Sequence, residues 1–147
     1  MYKRILVPTD GSKLSDKAIK EAARLAKMAG ADVLLLHVRA PLDGPLYSEG
    51  APLAYPSRRR DKELEEKEEH DILHAAAKLS DAMGVTTETT YVTSTSPYEA
   101  IVKTAKKGKC DLIVMSSHGR RGLAGLLIGS ETQKVLTHTT IPVLVVR

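Results

Sequence analysis

Leu112-Ile113-Val114-Met115-Ser116-Ser117-His118-Gly119-Arg120-Arg121-Gly122-Leu123-Ala124-Gly125-Leu126-Leu127-Ile128-Gly129-Ser130 is the stretch that decides how this chain is read. Four apolar residues in a row read as a strand covered on both faces. Glycine then lets the backbone approach a ligand closely. A helical pattern resumes at Thr132, and a helix start offers N–H groups to an anion. Strand, glycine loop, two arginines and a Gly-Ser at a helix start together describe a phosphate cradle. The loop lacks the Gly-Lys-Ser/Thr of a P-loop and does not match Gly-x-Gly-x-x-Gly.

Outward from this stretch, strand and helix patterns alternate. Tyr2 to Thr9 is apolar and ends in the turn Asp10-Gly11-Ser12. A helix follows, with Ser15 or Asp16 as candidate cap, Ala18, Ile19, Ala22, Ala23, Leu25 and Ala26 at helical spacing, and Gly30 as its C-cap. Val33 to Val38 is a continuous apolar strand. The segment 41–57 holds four prolines and two glycines and reads as an irregular loop. Arg58 to about Met83 predicts a helix whose first half is charged and projects into water; Ile72, Ala75, Ala76, Leu79 and Met83 should face the sheet. Thr86 to Thr93 reads as a half-exposed strand. Ser96-Pro97 with Glu99 opens a helix to about Lys107. Thr132 to Thr139 is the last helix and Ile141 to Val146 the last strand. Five strands joined by helical crossovers predict one α/β domain over 1–147: a doubly wound parallel sheet with helices on both faces.

Four segments carry a resemblance to a known family. Ser116-x2-Gly119-x9-Gly129-Ser130 is similar to the Gly-x2-Gly-x9-Gly-Ser/Thr pattern of the universal stress protein family, with serine at the first glycine. Ile5-Leu6-Val7-Pro8-Thr9-Asp10-Gly11-Ser12 and Val33-Leu34-Leu35-Leu36-His37-Val38 resemble its first two strands, and Ile141-Pro142-Val143-Leu144-Val145-Val146 its last. The resemblance spans essentially the whole chain. It implies strand order 3-2-1-4-5, an adenine nucleotide ligand (ATP, ADP or AMP) and a homodimer through strand 141–146; with one candidate base, one possible metal ligand and no second acid, little or no hydrolysis is expected.

In that order the sheet reverses between strands 1 and 4, and ligands of open α/β sheets bind at such a switch point. At that place the resemblance implies a site that gathers Pro8, Thr9, Asp10 and Val38 from one side. Met115, Ser116, His118, Gly119 and Arg120 come from the other, followed by Gly129, Ser130, Glu131 and Thr132 at the helix start. Asp10 beside phosphates implies a bridging Mg²⁺ or a ribose contact. Arg120 and Arg121 either clamp phosphate or are solvated. Ser116 either narrows the pocket or donates a hydrogen bond; an adaptor that binds no nucleotide is the competing reading.

Composition narrows the alternatives. Hydrophobic residues are 42% and charged residues 27% of the 147, an ordinary globular balance. From Lys103 to Arg147 eight Lys/Arg face two acids, although the net charge is only +4, so the glycine loop lies in a basic third. With no Phe or Trp and five Tyr, stacking platforms for nucleic acid are scarce. No run is long and apolar enough for a membrane span, and a lone Cys110 suits a reducing cytoplasm and an inert packed thiol. His70 and His74 stand at i,i+4 as in zinc-binding helices, but no third ligand is evident. No Gly-x-Ser-x-Gly elbow supports hydrolase chemistry.

Overall fold

Alternating strand and helix runs in the sequence become a five-stranded parallel sheet. The computed structural model describes residues 1–41, 58–119 and 128–147. The element order is β1 (Arg4–Pro8), α1 (Lys13–Ala29), β2 (Asp32–Arg39), α2 (Arg58–Asp81), β3 (Thr87–Thr93), α3 (Pro97–Lys107), β4 (Leu112–Ser116), α4 (Ser130–His138) and β5 (Val143–Val146). The sheet order is β3-β2-β1-β4-β5 and all four pairings are parallel, as expected. The irregular loop expected at 41–57 falls, apart from Pro41, outside the described residues.

The continuous apolar strands read so because each face of the sheet is covered. Alternation sends Ile5, Val7, Val33, Leu35, Leu112 and Val114 into one core with α1 and α2. Leu6, Leu34, Leu36, Ile113 and Met115 enter the other with α3 and α4. A fully buried aliphatic side chain contributes about 1.5–3 kcal/mol, so the two cores carry most of the fold.

Three local expectations need correction. The cap of α1 is Ser12, not Ser15 or Asp16: its hydroxyl accepts the Ser15 N–H at 3.1 Å, and the helix starts at Lys13. A serine three residues earlier can satisfy that donor because Gly11 turns the chain with φ 74°. The inward stripe of α2 is Glu69, Ile72, Leu73, Ala76 and Ser80, while Ala75 is exposed. Glu69, inside the charged half, is buried beside Arg39, whose guanidinium lies 3.2 Å from Oε2 at an angle too poor for a hydrogen bond. That contact is electrostatic. Ser96 occupies the cap position of α3 but makes no side-chain cap bond. Gly30 ends α1 in the left-handed region, φ 66°, as a C-cap glycine should.

Candidate functional site

The crevice forms where two neighbouring strands part. The β1–β2 ladder runs to Pro8↔Leu36, whereas β1–β4 pairing stops at Leu6↔Ile113. Beyond that point the carboxyl ends of β1 and β4 diverge at the position where sheet order reverses.

On the β1 side the polar groups are spent on holding the turn. Thr9 is buried; its N–H donates to the Leu36 carbonyl at 2.8 Å and its hydroxyl lies 3.1 Å from Ser15 Oγ and accepts the Gly11 N–H at 3.2 Å. Thr9 therefore shapes the crevice through its backbone. Asp10 Oδ1 accepts the Ser12 N–H at 3.0 Å, which fixes the carboxylate and presents Oδ2 across the gap. His37, which sequence reasoning passed over, places Nδ1 2.9 Å from the Thr9 carbonyl. The signal was available: His37 is a polar residue inside an apolar strand, on the face that Thr9 shares.

On the β4 side the chain folds back on itself. The Gly129 N–H donates to the Ser117 carbonyl at 2.6 Å, and the Ser117 N–H to the Val146 carbonyl at 2.7 Å. The Thr132 hydroxyl, buried, donates to the Ser116 carbonyl at 3.0 Å. These bonds pin the start of α4 to the end of β4. Thr132 was expected to offer its hydroxyl to a ligand; the hydroxyl is committed to this tether. His118 Nδ1 lies 3.1 Å from Ser117 Oγ.

Both glycines of the pattern sit where a side chain would crowd its neighbours. A Cβ on Gly119 would sit 2.7 Å from Asp10 Oδ2, and one on Gly129 would sit 3.1 Å from His118 Cα, His118 Cβ and the Ser117 carbonyl. Gly119 thus brings the β4 loop directly against Asp10. Gly129 precedes α4 with φ −71° and ψ 155°, and the first intrahelical bond is Gln133 N–H to its carbonyl. The N–H groups of Ser130, Glu131 and Thr132 have no intrahelical acceptor, and they carry the positive end of the helix dipole.

The pleat sorts the remaining residues. Pro8, Val38 and Met115 fall on the α3/α4 face, Met115 buried and Val38 partly so within that core. Of the three, Pro8 and Val38 keep part of their surface exposed. Thr9, His37 and Ser116 fall on the opposite face. Ser130 and Gly119 are exposed and Ser116 is half-buried. Arg120 and Arg121 lie outside the described residues. The Glu131 carboxylate turns to α3, where it accepts the Tyr98 N–H.

An ordered pair of glycine approaches, a helix start and the β1 turn at one switch point matches one family. A model of the universal stress protein family matches residues 1–147. The chain belongs to that family.

Universal stress protein MJ0531 of Methanocaldococcus jannaschii is 36% identical over all of this chain and 83% of its own length. The solved structure of MJ0577, from the same organism, superposes with TM-score 0.75 at 30% identity, covering 99% of this chain and 96% of that one. A universal stress protein in complex with cAMP superposes with TM-score 0.72 at 25% identity, over 99% of this chain and 97% of that one.

Two other features compete for attention. A cavity of about 430 Å³ opens between α1 and α2, beside Gly11. Among the described residues, Asp16, Glu68 and Asp71 line it against Lys67, an acidic excess that disfavours an anion. On α2, the rings of His70 and His74 stack 5.7 Å apart, and among the described residues no group of three or more potential ligands could hold a metal. Cys110 is buried, and desolvation pushes its thiol up from the ordinary value, the opposite of what a nucleophile needs. No described helix is long and apolar enough to cross a membrane.

Proposed function

We propose that this universal stress protein binds an adenine nucleotide (ATP, ADP or AMP) in the β1/β4 crevice and acts as a regulatory nucleotide-holding protein. The observation that carries the reading is the pinned start of α4: Gly129 and Thr132 fasten it to the end of β4, so a helix start with three N–H groups lacking an intrahelical acceptor stands at the end of β4, beside the approach of Gly119 to Asp10. Phosphate sits against those donors, joined by the Ser130 hydroxyl, and the part-exposed Pro8 and Val38 offer apolar surface to the base, with Met115 packed beneath. The complex of a family member with cAMP supports an adenine ligand.

Asp10 suits Mg²⁺ in this scheme. A carboxylate facing phosphate needs a cation between them, and Mg²⁺ takes one or two carboxylates with phosphate oxygens and water. The donor set fits, since Oδ1 is anchored to Ser12 N–H and Oδ2 faces the loop. Bound Mg²⁺ would neutralise charge on the polyphosphate. Little or no hydrolysis is part of the reading: His118, the one candidate base of the loop, lies against Ser117 Oγ. The reading also includes a cytoplasmic location, in keeping with a buried free thiol, and a two-fold dimer through 141–146.

Thermal melts with AMP and with Mg-ATP test it. Ligand at 100–1,000 times its Kd raises stability by about 3–4 kcal/mol. A melt unmoved by either nucleotide at millimolar concentration favours the adaptor that binds none, the reading that Ser116 in place of glycine would then explain.

A further inference from the structure

Two helices begin beside the crevice, and one carboxylate joins them. The amino end of α3 has no help from Ser96; instead the Tyr98 N–H donates to Glu131 Oε2 at 2.9 Å, from a residue 33 positions away. Oε1 of the same carboxylate accepts Lys134 Nζ at 2.9 Å. The Lys134 ammonium stands 5.6 Å from the centre of the Tyr98 ring, and that ring tilts against His138 at 4.9 Å. The first turn of α3 is thereby stapled to the first two turns of α4.

Glu131 lies between Ser130 and Thr132 in the turn that faces the crevice. Left unpartnered there, its negative charge would compete with an incoming anion for the dipole of α4. The dipole of α3 and the ammonium of Lys134 hold it instead, both partners stabilising a carboxylate. The same bonds fix the azimuth of α4 from outside, while Thr132 fixes it from inside through the Ser116 carbonyl.

We propose that Glu131 is a positioning residue for anion binding: it locks the first turn of α4 against α3 and keeps its own charge off the ligand path. The proposal rests on the nucleotide reading of the crevice and adds to it a residue that acts through its neighbours' N–H groups, without its carboxylate touching the ligand.

Two readouts separate the possibilities. The Tyr98 amide resonance of the ligand-free protein reports the staple, and the Kd for AMP reports the cradle. Glu131→Gln keeps an oxygen within reach of Tyr98 N–H, so the resonance stays near that of the parent and the Kd rises by no more than about threefold. Glu131→Ala removes the acceptor: the Tyr98 amide moves upfield and AMP binding weakens about tenfold. Lys134→Met, at an exposed position that leaves the fold intact, releases Oε1 and weakens binding about two- to fourfold, which keeps the test open if the alanine variant folds poorly. Unchanged AMP affinity in both Glu131→Ala and Lys134→Met overturns the proposal and leaves Glu131 a helix cap. A parent that binds no AMP overturns the nucleotide reading and this proposal with it; the Tyr98 amide then still shows whether the staple exists, so the two failures read differently.

Discussion

Gly119→Ala isolates the contact that closes the crevice. The new methyl would stand 2.7 Å from Asp10 Oδ2, a separation that real Cβ atoms do not show. Gly119 does not lie in the left-handed region, so the backbone accepts alanine and the cost comes from the clash alone. The carboxylate must rotate, but its other oxygen holds the Ser12 N–H at 3.0 Å. Turning it off its rotamer costs about 0.5–1.5 kcal/mol. Stretching a hydrogen bond to a charged acceptor adds about 1 kcal/mol, against about 0.4–1 kcal/mol recovered because alanine restricts the unfolded chain. The expected net loss is about 1–2 kcal/mol, equivalent to a fall of roughly 2–8 °C in Tm for a chain of this size.

A double-mutant cycle makes the assignment sharp. Urea unfolding of the parent, Gly119→Ala, Asp10→Ala and the double variant gives a coupling energy free of the separate effects of each change. With the Asp10 carboxylate gone, the introduced methyl meets no other atom of the described residues within 4 Å, and Gly119→Ala becomes neutral or mildly stabilising. The alanine gain cancels in the cycle, so the coupling should be about 1.5–2.5 kcal/mol in the sense that removing Asp10 rescues the alanine. Additive losses would refute the argument, since the cost of the methyl would then owe nothing to Asp10.

Three further outcomes follow from other contacts. Thr132→Val keeps the shape but strands the Ser116 carbonyl, costing about 1–3 kcal/mol in urea unfolding and weakening AMP binding; loss of stability with intact binding would detach this tether from the cradle. Cys110 has its folded pKa raised by burial, so the folded thiol keeps its proton where the unfolded one loses it. Its contribution is present below the unfolded pKa, near pH 8.5, and falls as pH rises above it; a Cys110→Ala variant should lose less stability between pH 8 and 10 than the parent, and parallel curves would contradict this. On β5, the Pro142 and Val146 carbonyls accept from Ile113 and Ser117 of β4, so by alternation Val143 and Val145 turn their N–H groups to the outer edge. Val145→Pro should therefore spare the β4 ladder and abolish a β5-to-β5 dimer in sedimentation; a monomeric parent, or a dimer indifferent to the proline, would refute that interface.

What the sequence made legible was whatever depends on near neighbours along the chain. The apolar runs Leu34-Leu35-Leu36 and Ile113-Val114-Met115 required cover on both faces, and the alternation of strand and helix required a parallel sheet. Gly119 and Gly129 stood out because their spacing matches a family pattern, and the lack of room for a Cβ, which would fall 2.7 Å from Asp10 Oδ2 at Gly119 and 3.1 Å from His118 at Gly129, gives that spacing a physical reason. The unreadable part was the destination of polar side chains. Thr132, Thr9 and Glu131 were all expected to face a ligand, since a hydroxyl or carboxylate at a loop edge has no visible partner in sequence. Each instead satisfies a backbone group far along the chain or in the tight turn itself: Thr132 the Ser116 carbonyl, Thr9 the Gly11 N–H, Glu131 the Tyr98 N–H. Buried backbone groups must be paired, and where strands part to open a crevice the ladder no longer pairs them. Side chains at the rim take over that duty, so the opening of the crevice itself diverts these polar groups from the ligand. On the proposed nucleotide reading, the surface left for an anion is then mostly the backbone N–H groups at the start of α4, which the helical pattern after Gly129-Ser130 did announce.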